Sequence, residues 1–538
     1  MTDWLTYILT MLVAAASAAS SLKFIHMLQL ESYQGKMYLK WLKAHLSDCL
    51  PYLSIGLLSC GIRLLSAALN NHVLETLLYR ASDLICIASL SVAFMVWLKK
   101  DHRKPLKYTA RAIRLIVMLS IVCAALSCAS LLDIGYTDGT ASYIVKSVLR
   151  FSPCILAPIV VLLAYLITYP IEWLVKRWYF NDARRKLAAR TDIVKIGITG
   201  SYGKTSAKFM LASMLSEKYN VLYTPSSYNT PMGITKIVRG ELKPEHQVFV
   251  AEMGARYKGD IKELCELVRP TYGIITAVGK QHLETFGSFE SVISTKEELL
   301  DSLPMDGHAF INGDSPVCVE MFGRCKVGDK NLFGIDGKGL YMHAENIEVG
   351  ESGSSFDLVS ADGRRERCTT ALLGRHNILN IAGAASAAYN LGVSMKQISN
   401  AITSLEPVEH RLQLIKGAVT VIDDAFNSNP AGAKAALEVL SAFSGRRIIV
   451  TPGMVELGNE EAALNEEFGR QIAECADIAI IVGAINGENI RRGLLSAGFD
   501  EKSIVMATTF SEATAALPSY TEPGCVVLFE NDLTDNYN

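Results

Sequence analysis

The feature that most restricts this fold is an uneven spread of apolar residues. Five runs, at 4–22, 52–69, 84–98, 115–132 and 155–175, approach the length of a helix that crosses a bilayer core, the third being the shortest. In hydrocarbon the backbone polar groups of such runs are satisfied only within helices, so the first third of the chain is predicted to be a multi-span helical membrane domain. The depths of the runs are read as free of charge, which argues against a transporter. Basic residues set the orientation. Lys36, Lys40 and Lys43 follow run one; Lys99, Lys100, Arg103, Lys104, Lys107, Arg111 and Arg114 separate runs three and four; Lys176, Arg177, Arg184, Arg185 and Lys186 follow run five. The alternate loops hold none around 70–76, and only Lys146 and Arg150 between runs four and five. An inner excess of lysine and arginine predicts a multi-pass protein of the cell membrane, its N-terminus outside and everything after 176 cytoplasmic. These loops also suit anionic headgroups of membrane lipid or a lipid diphosphate, although topology alone accounts for them.

The remaining two thirds read as soluble α/β. The formal net charge of −2 gives no basic field for nucleic acid, which is excluded as a partner. The twelve cysteines form no C-x-x-C pair and no metal-like spacing, so they are expected as reduced thiols.

The soluble part is organised around IGITGSYGKTS at 196–206. An apolar run at 193–198 predicts a buried strand, and Phe209, Met210, Leu211, Met214 and Leu215 mark a helix after the turn. Strand, glycine turn, lysine, hydroxyl and helix make a phosphate cradle. Gly200, Ser201 and Gly203 bring backbone N–H groups to phosphate oxygens, and the helix N-terminus adds its positive dipole end. Lys204 reaches the outer phosphates, Thr205 offers a hydroxyl to Mg²⁺, and Ser206 completes the turn. The glycine spacing is shorter than in the common phosphate loop, with Ile198 where that pattern has its first glycine.

Strand and helix patterns then alternate: strands at 248–252, 273–277 and 309–311, helices at 261–268 and 289–303. Such alternation predicts a parallel sheet with helices on both faces and ligands beyond the carboxyl ends of the strands. Glu252 and His282 fall there, and both suit Mg²⁺ held by nucleotide phosphates. Lys296 is the odd residue. It lies near the middle of the apolar stripe Phe289, Val292, Ile293, Leu299, Leu300 and Leu303. A bare ammonium there needs a partner, must snorkel, or is chemically altered. Polar–apolar alternation across 331–370 predicts an accessory antiparallel sheet.

Six blocks in order then become specific: Thr199–Ser206, Tyr228-Asn-Thr-Pro-Met-Gly233, Ala251-Glu-Met-Gly-Ala255, His282-Leu-Glu284, Thr295-Lys-Glu-Glu298 and Gly374-Arg-His-Asn377. Together they resemble the signature blocks of the Mur ligases, most like the branch that adds D-alanyl-D-alanine to a UDP-linked tripeptide. The resemblance covers roughly 191–530. It implies an ATP-dependent amide ligase of cell-wall precursor synthesis, which activates a peptide carboxylate as an acyl phosphate and couples it to an amino acid or D-Ala-D-Ala. It implies ATP and two Mg²⁺ ions. Lys204 binds phosphates; Thr205 and Glu252 hold one ion; His282 and Lys296 serve the second, Lys296 as a carbamate, which turns a buried cation into an anionic oxygen ligand. Asn229 and Thr230 face substrate or metal, and Asn377 the nucleotide.

A boundary near 407 divides a central ATP-binding domain, 191–407, from a C-terminal Rossmann-like domain, 408–538, with the membrane domain at 1–190. By resemblance Arg411 is a hinge arginine that contacts nucleotide, and Asp424 contacts ribose; Asn427 and Asn429 share its loop. Asn429 before Pro430 also reads as a helix N-cap. Two departures stand out. The place where soluble ligases of this branch grip the UDP-sugar is taken by apolar helices, so a lipid-linked acceptor or another amide polymer competes with the UDP-linked one. The ending Phe529-Glu-Asn-Asp lacks the usual basic Lys-Gly-Ser. A non-catalytic membrane-anchored nucleotide sensor is the reading from another class, opposed by the intact Lys204, Glu252, His282 and Lys296.

Overall fold

The structure, a computed structural model, describes residues 4–69, 72–100, 104–132, 140–226, 228–281, 283–425, 428–483 and 486–531. The chain divides into two compact units, 1–177 and 178–538. His282 and Asn427 lie outside the described residues.

The first unit is helical: α1 (Trp4–Ser20), α2 (Leu22–Leu30), α3 (Gly35–Ala44), α4 (Leu50–Ala67), α5 (His72–Lys99), α6 (Ala110–Ala129), α7 (Thr140–Ile155) and α8 (Ala157–Ala189), with the unit boundary inside α8. Among the described residues, five segments are long and apolar enough to cross a membrane: Trp4–Leu30, Leu46–Ala67, His72–Lys99, Ala110–Ala129 and Ala157–Ala189. Val13, Phe24, Leu28, Leu90, Leu119 and Phe151 share the interior. The outside is equally apolar, with Leu57, Leu58, Leu77, Val92, Val96, Ile121 and Leu166 exposed.

Two expectations fail here. The stretch around Lys146 and Arg150 is a helix, α7, rather than a loop. The interior is also charged. Asp83 on α5 and Arg150 on α7 are fully buried, and Arg63 on α4 nearly so. Arg150 binds Asp83 through two nitrogens, each at 2.7 Å, and donates to Thr10 Oγ1 of α1 at 2.5 Å. Arg63 Nη1 donates to Asp83 at 3.1 Å and stacks on Tyr79, 3.6 Å from the ring centroid. Composition hid this because single charges scarcely dent a long apolar run; only packing brings them together.

The second unit builds two sheets. Its first part runs β1 (Val194–Thr199), α9 (Lys204–Ser216), β2 (Val221–Tyr223), α10 (Pro231–Gly240), β3 (Val248–Glu252), α11 (Asp260–Val268), β4 (Tyr272–Ile275), α12 (Leu283–Phe286), α13 (Phe289–Ser302), β5 (His308–Asn312), α14 (Pro316–Arg324), β6 (Asp329–Gly334), β7 (Met342–Gly350), β8 (Gly353–Ser360), β9 (Arg365–Thr370), α15 (Arg375–Asn390) and α16 (Met395–Thr403). The sheet order is β2-β3-β1-β4-β5-β6-β7-β8-β9. Strands β2 to β6 are parallel, and β7 to β9 antiparallel. The expected accessory sheet is therefore an extension of the main one, joined where Phe333 and Gly334 of β6 pair in parallel with Met342 and His343. Buried strands such as β3 are apolar up to their last residue, here Glu252, as a parallel sheet covered on both faces requires. One face packs α9, α15 and α16 around Met210, Phe310 and Ile381; the other packs α10, α11, α13 and α14 around Phe249, Leu264 and Leu299, with Ala183 and Leu187 of α8.

The second part runs β10 (Gln413–Ile415), β11 (Thr420–Asp424), α17 (Pro430–Ser441), β12 (Arg447–Thr451), α18 (Glu461–Cys475), β13 (Ile478–Val482), α19 (Gly487–Ser496), β14 (Ile504–Ala507), α20 (Phe510–Ala516) and β15 (Val526–Glu530). Its sheet order is β10-β11-β15-β12-β13-β14, parallel except for the short β10. The last strand enters between β11 and β12.

Candidate functional site

The glycine turn sits between β1 and α9 as the motif demands. Gly200 and Gly203 have φ of 153° and 75°, where a side chain is strained. A Cβ on Gly203 would meet the Asn380 side chain, and one on Gly200 the Thr276 hydroxyl. The loop is braced from its neighbour strand: Ser201 N donates to Ala277 O at 2.6 Å, and Ser201 Oγ to Gly279 O at 2.9 Å. Lys204 Nζ folds back over the turn, donating to Gly200 O at 2.8 Å and Ser201 O at 2.9 Å. Burial pushes its ammonium down to about 8, with Arg411 adding to the shift and Glu252 opposing it. Thr205 is buried at the start of α9.

Glu252 ends β3, the strand paired with β1, so it faces the loop across one strand spacing. It is 1 % exposed. Burial alone would raise its carboxyl, but Lys208, Lys204 and Asn229 together hold it below the ordinary value. Asn229 Nδ2 donates to Oε1 at 3.0 Å, and Lys208 Nζ to Oε2 at 3.1 Å. Thr230 is the N-cap of α10, its hydroxyl accepting from Gly233 N at 3.2 Å. Asn429 likewise caps α17, as its place before Pro430 predicts.

Lys208 was missed by sequence reasoning. It is fully buried and also donates to Ser226 O at 2.5 Å. The available signal was its position one turn after Lys204, amid the apolar residues of α9. Substituting Lys208→Met leaves a buried carboxylate without its counter-charge. The variant is expected to lose about 3–5 kcal/mol of stability, and nucleotide is expected to restore more of its melting temperature than in the wild type. A melting curve matching the wild type would show that this pair contributes nothing.

Lys296 lies on α13, 3 % exposed. Burial, and then the nearby charge of Lys204, hold its ammonium well below the ordinary lysine value, against weaker help from Asp260 and Glu298. Among the described residues none hydrogen-bonds or ion-pairs with it. Glu298 is engaged elsewhere, accepting from Gly259 N and Lys262 N. Of the three readings of the stripe, a partnered lysine is thus ruled out among the described residues.

A small cleft opens beside α9, lined by Ser206, Phe209, Met210, Asn377, Val408 and Arg411. It unites three expected nucleotide residues from separate stretches: Ser206, Asn377 and Arg411. Asn377 is anchored by donating to Leu373 O at 2.9 Å. Arg411 is held below its ordinary value by burial and feels both Glu252 and Asp424. Asp424, at the end of β11, accepts from Leu412 N at 3.1 Å, tying the segment that carries Arg411 to the second sheet. The two α/β domains also meet where Lys280 pairs with Glu460 at 2.6 Å.

A braced glycine loop heading a parallel sheet, with a second α/β domain in contact beside it, defines a two-domain phosphate-loop protein. The Mur ligase middle domain matches residues 198–388, and the Mur ligase glutamate ligase domain residues 410–530. With more than half of its length so matched, the chain belongs to the Mur ligase family. It is 32% identical over 299 residues to UDP-N-acetylmuramoyl-tripeptide–D-alanyl-D-alanine ligase of Escherichia coli (strain K12), covering 55% of this chain and 64% of that one. It is 28% identical over 341 residues to the ligase of that name from Bacillus subtilis (strain 168), covering 62% and 72%. The chain thus spans less than two thirds of the first relative's length. The crystal structure of MurF from Acinetobacter baumannii superimposes with a TM-score of 0.61 at 26% identity, covering 66% of this chain and 77% of that one. MurF ligase from Thermotoga maritima in complex with ADP gives 0.60 at 25%, covering 66% and 80%.

Proposed function

We propose that this chain is a membrane-anchored ATP-dependent amide ligase of cell-wall precursor synthesis. It activates a peptide carboxylate as an acyl phosphate, then couples it to an amine, D-Ala-D-Ala or an amino acid. The observation that carries this reading is the gathering of Lys204, Glu252 and Lys296 around the phosphate loop, beside a cleft that ends on Arg411. Such a loop binds the phosphates of ATP, with Lys204 leaving its backbone carbonyls for the outer phosphate. A buried carboxylate and a hydroxyl at the head of α9 fit Mg²⁺, which is held by one or two protein oxygens and substrate phosphates. Glu252 and Thr205 would hold one ion. Lys296, buried and without a partner among the described residues, fits a carbamate that would serve a second. Bound Mg²⁺ supplies charge neutralisation on the transferring phosphoryl group. The protein's own share is positioning. Asn229 orients Glu252 and, with Thr230, flanks the acceptor side; Asn377, Arg411 and Asp424 hold the nucleotide; closure of the second domain brings the amine and excludes water.

The apolar exterior of the first unit supports placement in the cell membrane, with both α/β domains cytoplasmic and the N-terminus outside. A ligase on the membrane has physical access to lipid-linked precursors, so the acceptor is either UDP-linked or lipid-linked. Alkaline washing is expected to leave the chain in the membrane pellet. Detergent-purified protein is then expected to release ADP only when an acceptor peptide and an amine are both present. UDP-linked and lipid-linked tripeptides, each with D-Ala-D-Ala and a panel of amino acids, decide the substrates. Recovery in the wash would reject the anchor, and ADP release indifferent to the amine would reject the ligase.

A further inference from the structure

Within the ending that departs from the family pattern, Glu530 is fully buried. Asp424 and Glu530 are register partners at the carboxyl ends of the adjacent parallel strands β11 and β15, so their side chains lie on one face. Glu530 is 0 % exposed. Its Oε1 accepts from Ser428 Oγ at 2.6 Å, while Oε2, equally buried, meets no donor among the described residues. No lysine or arginine among the described residues pairs with Glu530. The two carboxyl groups lie within hydrogen-bond reach of each other. Two buried carboxylates at that separation repel, and one shared proton removes both the repulsion and the unsatisfied oxygen.

We propose that Glu530 is a positioning residue: it keeps a proton at neutral pH, donates it to Asp424, and so holds the Asp424 carboxylate on Leu412 N beside Arg411. The hinge arginine then enters the nucleotide cleft from a fixed base. This rests on the reading of Arg411 and Asp424 as nucleotide-side residues. The other charged groups around the pair are Asp423, which accepts from His410 Nδ1 at 2.7 Å, and Glu252, which acts on Arg411 from across the cleft. Burial raises both carboxyl groups, Asp424 to about 6 and Glu530 well above its ordinary value. The pair titrates as a unit. A folded state that holds a proton more tightly than the unfolded chain is fully stabilised below the ordinary carboxylate range. It loses that contribution as pH rises through the raised values, from about 6 upward.

The test uses the full chain in detergent, with Glu530→Leu and Glu530→Gln. Titration with ADP is expected to show at least tenfold weaker binding in Glu530→Leu and recovery to within threefold in Glu530→Gln, whose amide still donates to Asp424. The melting temperature of the wild type is expected to fall between pH 6 and 9 more steeply than that of Glu530→Gln, which has no proton to lose. Unchanged ADP affinity in Glu530→Leu, or equal pH slopes in wild type and Glu530→Gln, would overturn the proposal. Should the wild type bind no ADP, the nucleotide reading fails, while the melting slopes still decide the shared proton.

Discussion

Lys296→Ala is expected to abolish ligase turnover, lowering kcat by roughly 10³-fold, the scale on which removal of one preorganised charge-stabilising group acts. The same change is expected to leave the melting temperature equal or higher. The reason is local. The ammonium lies buried on α13 with no hydrogen-bond or ion-pair partner among the described residues, so its removal lifts a desolvation penalty rather than breaking a contact. Few residues combine loss of activity with retained stability, and that pairing separates a chemical role from a structural one. A neutral amine in such a site is free to take up CO₂. Protein equilibrated with ¹³C-bicarbonate is expected to show a carbamate resonance that the variant lacks. Turnover of Lys296→Ala within tenfold of the wild type would remove the residue from the mechanism.

The second large effect concerns the helical unit. Asp83→Ala leaves Arg63 and Arg150 buried with no shared carboxylate, because Asp83 accepts from both. Breaking a buried pair in this way costs about 3–5 kcal/mol. For a unit of this size that lowers the melting temperature by roughly 10 °C, measured as loss of the monodisperse peak in detergent after heating. Replacing all three together, Arg63→Leu, Asp83→Leu and Arg150→Met, is expected to recover most of the loss, since no charge is then stranded. A single variant that melts with the wild type would mean that water reaches the cluster. Charged residues within long apolar helices are commonly functional. Here every described side-chain hydrogen bond of Asp83 and Arg150 is internal to α1, α4, α5 and α7, which makes the cluster a lock on helix packing.

Much of the two α/β domains is legible in the sequence. Period and turn residues found β3, α11 and α13 to within a few residues, because a strand buried on both faces is almost wholly apolar. The phosphate loop was legible for a different reason. Positive φ at Gly200 and Gly203 leaves few alternatives to glycine, so geometry is written in residue type. Lys208 was overlooked because a lysine within an apolar segment reads as a solvated break, and its partner Glu252 lies on another strand. Glu530 was seen as an odd ending, not as half of a pair, because Asp424 is reached only through strand order.

What the sequence alone determined is therefore local or periodic: apolar length, strand and helix period, the phosphate turn, and the cap at Asn429. Tertiary structure alone decided which charges meet. It brought Lys208 to Glu252, Glu530 to Asp424, and Asp83 to Arg63 and Arg150. The physical reason is that burial makes a charge depend on neighbours far along the chain, and no window on the sequence contains them.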